Sequence, residues 1–362
     1  MRCLVAPALV TACLALVACG SSSSQAARDD GGAPDGRTGV SDSGGPSPEG
    51  GGSSPDGGGT TPDGSAQPGD GGAVLTRTFG GRQYLLYVPA AYAAGTPAPL
   101  VVMLHGCTQD PTDFAAGTQM NAHADAAGFL VAYPDEPTSA NLEKCWNWFL
   151  PADQARGGDE PAIVAGLVGD VAKDYSVDAK RVFAAGLSAG AAMAVVVGAT
   201  YPDVFAAIGV HSGLEYAAAT SVTAALSASA SGGPDPKAQG DAAFAAMGAQ
   251  GRPVPVIVFQ GDADSVVNVT NGTQVVAQWN ETDTRAGAMP GARVATSGMA
   301  GGKSYTHTTY ANGSAASTLL ELYVVHGLSH AWSGGSSAGT FTDPNGPDAS
   351  ALMWQFFASH GR

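Results

Sequence analysis

The sequence predicts an α/β fold, a mostly parallel sheet covered by helices on both faces. Three observations carry this. Short, continuously apolar runs ending in Gly, Pro or His recur along the chain, as strands buried on both faces do. Between them lie segments whose apolar residues return every three or four positions, the spacing of one helix face. The two kinds of segment alternate, the order that joins parallel strands through helical crossovers.

In chain order, residues 74–78 and 84–88 flank Gly80-Gly81 and read as an opening β-hairpin. Residues 99–104 form an apolar run stopped by His105-Gly106, and residues 128–133 form another, ended by Pro134. Over 161–175, Ile163, Val164, Leu167, Val168 and Val171 mark a helix. Residues 181–185 read as a strand and 189–201 as an Ala/Val-rich helix. Residues 205–210, 254–259 and 319–325 are further strands, and 352–359 a closing helix. Residues 214–250 hold few large apolar side chains and read as a lid or an excursion from the sheet.

Not all 362 residues belong to that fold. Arg2 and the apolar run over 4–17 read as an export signal, too short for a membrane span. The run ends in Leu16-Val17-Ala18-Cys19-Gly20, the pattern of a bacterial lipoprotein signal with Cys19 as the lipidation site; an ordinary secretory signal is the alternative. Residues 1–19 are assigned to this signal. Residues 20–73, nearly all Gly, Ser, Pro, Asp and Thr, have too little apolar surface to offset the entropy of ordering and read as a disordered tether. The folded domain is 74–362. The expected protein is exported, either lipid-anchored to the cell envelope or surface or extracellular, and meets membrane only through its N-terminal lipid.

The formal net charge is −15, which argues against a nucleic-acid partner, since phosphate contacts need Lys and Arg. No His/Cys cluster has metal-ligand spacing, and the chemistry below calls for no cofactor. Of five cysteines, Cys3 and Cys13 leave with the signal and Cys19 takes lipid. Cys107 and Cys145 remain, and in an oxidising compartment a disulfide is expected, against two buried thiols.

Gly186-Leu187-Ser188-Ala189-Gly190 follows a predicted strand and opens a predicted helix. A sharp turn there would lift the Ser188 hydroxyl above the sheet edge and set helix N–H groups beside a developing oxyanion. A serine hydroxyl needs a base. His330 follows the last predicted strand by a short loop and is the first candidate; His326 is the rival. His307 and His360 read as surface residues. Asp262 and Asp264 both follow the strand ending at Phe259 and compete to orient the base. The oxyanion donors would be the N–H of Ala189 and, from the loop after the first buried strand, that of Cys107.

Leu104-His105-Gly106-Cys107-Thr108-Gln109, Cys145-Trp146-Asn147-Trp148, the serine motif, Gly261-Asp262-Ala263-Asp264-Ser265-Val266-Val267 and His330-Ala331-Trp332 stand in an order that resembles the poly(3-hydroxybutyrate) depolymerase family of esterases, close to the feruloyl and acetylxylan esterases. The resemblance covers nearly all of 76–360. It implies the α/β-hydrolase fold and a serine carboxylic-ester hydrolase, with Ser188, Asp264 and His330 as the triad and Cys107 and Ala189 as oxyanion donors. The implied substrates are short-chain hydroxyalkanoate esters or oligomers, possibly polymeric, with acyl groups on plant polysaccharide as the alternative. Extracellular depolymerases of this family usually carry a substrate-binding domain after the catalytic one. The chain runs to Arg362 without one, so amorphous polymer or oligomers are expected rather than crystalline polymer. A peptidase, or a non-catalytic binding protein on the same fold, is the rival class. Trp332, beside the histidine, and Trp146 and Trp148, beside Cys145, are the expected substrate-binding aromatics.

Overall fold

The computed structural model describes residues 72–313 and 318–362. The export signal, Cys19 and residues 20–71 of the tether lie outside them. The chain opens with the hairpin β1 (Ala73–Phe79) and β2 (Arg82–Val88). Then come β3 (Ala98–Leu104), helices α1 (Pro111–Thr118) and α2 (Met120–Ala127), β4 (Leu130–Pro134) and α3 (Asp159–Asp174). The middle holds β5 (Val177–Leu187), α4 (Ala189–Thr200), β6 (Ala207–His211), α5 (Val222–Ser231), α6 (Pro236–Met247), β7 (Val256–Gly261) and α7 (Val269–Arg285). The last part holds β8 (Pro290–Ala300), β9 (Lys303–Asn312), β10 (Thr318–Val325), the short strands β11 (Trp332–Ser333) and β12 (Thr342–Asp343), and α8 (Ala349–Ala358).

Ten strands form one sheet in the order β1-β2-β4-β3-β5-β6-β7-β10-β9-β8. The central run from β4 to β10 is parallel, and antiparallel strands flank it on both sides. Strands β3, β6 and β7 are buried at every residue, which is why they read as unbroken apolar runs. Their side chains alternate between two cores. Leu100, Val102 and Leu104 face one core with α3, α4, α6 and α7; Val101 and Met103 face the other with α1, α2 and α8. Helices thus cover both faces. All twelve residues of α4 are buried, and it is accordingly apolar all round.

The segment after β6 is a two-helix excursion fastened to α7. Asn268 N donates to Ser229 O, and the Asn271 side chain donates to Ala228 O and Ser229 O. Thr282 Oγ1 donates to Gly240 O. The expected surface position of His360 is corrected. Its ring bonds to Phe356 O and Thr318 O and packs 4.2 Å from the Phe356 ring, because α8 docks the chain's end onto the sheet. Among the described residues, no helix is long and apolar enough to cross a membrane.

Candidate active site

Parallel strands aim their C-terminal ends at one edge of the sheet, where loops can converge. Here Leu104, Leu187, His211, Gly261 and Val325 end β3, β5, β6, β7 and β10 at that edge. Leu187 is in register with His211, and Val325 with Gly261. Every candidate catalytic residue lies in a loop leaving this edge.

Ser188 is the turn between β5 and α4, with φ 57° and ψ −120°. Positive φ is unusual for a non-glycine residue and costs roughly 1–3 kcal/mol, so the surroundings must enforce it. They do so through the backbone: Ser188 N–H donates to His211 O at 2.9 Å, and its carbonyl accepts Ala192 N–H at 3.0 Å. The glycines of the motif serve close approach. A Cβ on Gly190 would collide with Leu104 O, and one on Gly186 would come within 2.6 Å of the same oxygen. The Ser188 side chain does not cap α4, so its hydroxyl is not occupied by the helix end.

The loop after β3 packs against this turn; a Cβ on Gly106 would lie 3.6 Å from Ser188 Cβ. Its amides are accounted for one by one. Gly106 N–H donates to Gln109 Oε1, Thr108 N–H to Glu143 O and Gln109 N–H to Gly106 O. Among the described residues, the N–H of Cys107 has no partner. Cys107 and Cys145 are joined in a disulfide whose Cα atoms lie 4.2 Å apart. His105 braces the loop from beneath: it is fully buried, its Nδ1 bonds Gly106 O and its Nε2 accepts Glu136 N–H. Burial lowers its pKa, which keeps it neutral in that role.

Reduction of the disulfide gives a test of this loop. The bond closes a segment of 38 residues, worth about 4 kcal/mol in the chain-entropy model. Reducing the folded protein should lower its melting temperature by several degrees, and turnover should fall with it as the Cys107 amide loosens. Melting curves and initial rates with and without reductant measure both. Unchanged values after complete reduction would mean that packing alone holds the loop.

His330 Nδ1 and Asp264 Oδ2 are 2.8 Å apart. Asp264 Oδ1 accepts the N–H groups of Val266 and Val267, each at 2.9 Å. Burial pushes the Asp264 pKa up, but the hydrogen bond and charge of His330 and the two amides outweigh it, and the net shift is downward. The rival pair lies beside it. His326 Nδ1 bonds Asp262 Oδ2 at 2.7 Å, Asp262 Oδ1 accepts Gly327 N–H, and the His326 Nε2 edge faces Thr306 Oγ1. The side chains of that pair are 42% and 37% exposed, against 10% and 0% for His330 and Asp264. Among the described residues, neither Ser188 Oγ nor His330 Nε2 makes a hydrogen bond.

Two further residues brace the site. His211, at the end of β6, is fully buried; its Nε2 accepts Ser333 N–H, and its ring stacks on Trp332 at 5.1 Å. Burial pulls its pKa down to about 3, and the charge of His330 acts the same way. Gln109 ties the Cys107 loop to the segment before β12, accepting Gly106 N–H and donating to Thr340 O and Asp113 Oδ2. The tryptophans depart from expectation. Trp332 and Trp146 are fully buried and Trp148 is 5% exposed. Trp332 packs between His211 and Phe114 and donates to Ser350 Oγ, so it props the His330 loop from the core side. Trp146 lies under the Cys107 loop beside His105, and Trp148 packs on Phe149. All three fill cores because the turns beside them are closed by backbone and disulfide, which leaves the rings facing inward. Among the described residues, no group of three or more His, Cys, Asp or Glu could hold a metal ion.

A mostly parallel sheet covered on both faces, with a strained serine turn at the carboxyl edge, defines an α/β-hydrolase. The chain belongs to the family described as Esterase PHB depolymerase, whose model matches residues 82–301. Poly(3-hydroxyalkanoate) depolymerase C of Paucimonas lemoignei is 38% identical over 202 residues, 55% of this chain and 48% of that protein. Feruloyl esterase B of Neurospora crassa is 39% identical over 133 residues, 36% of this chain and 44% of that one. Acetylxylan esterase A of Emericella nidulans is 31% identical over 205 residues, 54% and 66% of the two chains. The chain thus spans about half the length of the first two relatives. The acetyl xylan esterase of Aspergillus awamori has the same fold, with a TM-score of 0.63 at 23% identity over 79% of this chain and 99% of that one.

Proposed function

We propose that the chain is a serine carboxylic-ester hydrolase that works through an acyl-enzyme. Ser188 is the nucleophile, His330 the general base and acid, and Asp264 the carboxylate that orients it. The N–H groups of Cys107 and Ala189 receive the oxyanion. The observation that carries the reading is the buried Asp264–His330 pair at 2.8 Å, set on the same sheet edge as the strained Ser188 turn. With Nδ1–H donated to Asp264, the free Nε2 is the basic nitrogen, as proton removal from Ser188 requires. Attack on the ester carbonyl places negative charge on its oxygen, where an unpartnered loop amide and a helix N-terminus supply fixed donors. Collapse expels the alkoxide, which takes the proton from His330 Nε2. Water then repeats the sequence on the acyl-enzyme, releasing the acid and restoring Ser188.

The substrates are short-chain hydroxyalkanoate esters or oligomers, a reading supported by the depolymerase relative. Acyl groups on plant polysaccharide are the second reading, supported by the feruloyl and acetylxylan relatives. We further propose that residues 1–19 direct export, that Cys19 carries lipid, and that residues 20–73 tether the catalytic domain 74–362 to the envelope.

One assay series tests the reading. The protein should hydrolyse p-nitrophenyl acetate and butyrate, and a panel of hydroxybutyrate oligomers and acetylated or feruloylated xylan separates the two substrate classes. A histidine base acts only when unprotonated, so the rate should fall on acidification. His330→Ala should remove activity and His326→Ala should leave it within about threefold, because the His326–Asp262 pair is solvent-exposed. The reverse outcome would move the base to His326; no turnover on any ester would defeat the esterase reading.

A further inference from the structure

Resting on the esterase reading above, we infer that Phe341 forms the subsite for the alcohol half of the ester, and that this subsite accepts an apolar alcohol. The expected aromatic contacts, Trp332, Trp146 and Trp148, are turned into the cores. Phe341 is the aromatic at the site that is not. It is 44% exposed, and its ring stands edge-on to the His330 ring at 6.2 Å. A partly exposed aromatic side chain beside the His330 ring offers an apolar surface that a substrate group can cover.

The backbone makes the same point. Phe341 has φ 50°, one of few non-glycine residues with positive φ, as is Ser188. An aromatic residue in that conformation is held there by its neighbours at a cost. The holding contacts are specific. Phe341 O accepts Trp332 N–H at 2.7 Å, two residues after His330. Thr340 N–H and Oγ1 bond the Asp113 carboxylate, and Thr340 O accepts the Gln109 side chain. Gln109 also takes Gly106 N–H in the Cys107 loop. The backbone that carries the ring is therefore fixed by hydrogen bonds to both the His330 loop and the oxyanion loop, while the side chain stays partly exposed.

The chemistry says which half of the ester meets it. His330 Nε2 hands its proton to the leaving oxygen, so the alcohol lies on the histidine side of the carbonyl and the acyl group extends away. A ring whose centroid lies 6.2 Å from that of His330 borders this side. Its surface is apolar, and it suits a hydrocarbon chain, a hydroxyacid unit joined through its hydroxyl, or the C–H face of a sugar.

The test separates alcohol from acyl recognition. In Phe341→Ala, kcat/KM for benzyl acetate should fall about tenfold, from loss of one aromatic packing partner, while that for methyl acetate changes less than about twofold. The acetate-to-butyrate preference on one alcohol should not change. Once the alcohol has left, the acetyl-enzyme is the same for every acetate ester, so its hydrolysis in single-turnover chase should keep its rate. Phe341→Tyr should restore the benzyl preference. Equal losses on benzyl and methyl esters, a changed acyl preference, or slowed deacylation would overturn the assignment, since a ring that merely braces His330 would give those results. Absence of turnover by the unaltered protein on every ester would instead defeat the esterase reading and this subsite with it.

Discussion

Replacing Ser188 by Ala should abolish ester turnover and leave the protein folded. The size of the effect follows from what the side chain does. Without Oγ no acyl-enzyme forms, and what remains is attack by water helped by the oxyanion donors; losses of about a millionfold in kcat are typical when a triad serine is removed. The structural cost is small because the hydroxyl makes no hydrogen bond to α4 and the residue is only half-buried. The turn is set by Ser188 N–H and C=O and by Gly186 and Gly190, all of which remain. Alanine tolerates positive φ about as poorly as serine, so the melting temperature should move by no more than a degree or two. Burst-phase kinetics with p-nitrophenyl acetate, beside thermal melts of both proteins, read the two halves separately. A folded variant that keeps near-normal turnover would place the nucleophile elsewhere.

The legible part of the fold was the part buried on both faces. Strands β3, β6 and β7 announced themselves because nothing polar interrupts them, and α3 because its apolar residues keep one face. Helices α1 and α2 escaped notice since each spans only eight residues, too short for the period to show. Helix α7 escaped for a different reason. Its sequence Val-Thr-Asn-Gly-Thr-Gln-Val-Val-Ala-Gln-Trp-Asn-Glu-Thr-Asp-Thr-Arg is rich in weak helix formers, and it is held by packing around Trp279 and by the excursion helices. The hairpin β8–β9 is half-exposed and carries Thr, Ser, Ala and Gly where a buried strand would carry Val or Ile.

The site divides along the same line. Ser188, Asp264 and His330 could be read as candidates because a motif sets each beside a strand end, and the sheet brings strand ends to one edge. The tryptophans misled because a sequence neighbour of a catalytic residue can point either way. Trp332 follows His330 by two positions, yet its ring turns into the core toward His211 while the imidazole turns out. Phe341 gave no signal, sitting in the run Gly339-Thr340-Phe341 with no periodicity, and only its hydrogen-bonded backbone brings it to the histidine.

Asp264→Asn should lower kcat by about ten-thousandfold, and Asp262→Asn by less than about threefold. Both carboxylates face a histidine Nδ1 at nearly the same distance, 2.8 Å for Asp264 and 2.7 Å for Asp262, so distance does not separate them. Burial does. Asp264 is sealed from water and gathers the amides of Val266 and Val267 on its second oxygen, so it can be ionised where a lone buried carboxyl would not be. An asparagine there would offer Nδ2–H toward His330 Nδ1, which must then accept. The ring proton would move to Nε2, and that nitrogen could no longer accept a proton from a nucleophile. At Asp262 the same change keeps an acceptor for Gly327 N–H and alters only the contact to an exposed imidazole. The Asp264 substitution should also alter acid stability. Its folded pKa is depressed, so ionised Asp264 stabilises the fold above the unfolded carboxylate range near about 4, and that stability is lost as pH falls through the lower folded value. An asparagine side chain cannot titrate, so the Asp264→Asn variant should be less stable at pH 7 and lose less on acidification. Initial rates at pH 8 and melts from pH 3 to 7 measure both effects. Equal, small losses of rate at the two positions would show that neither carboxylate sets the tautomer of the base.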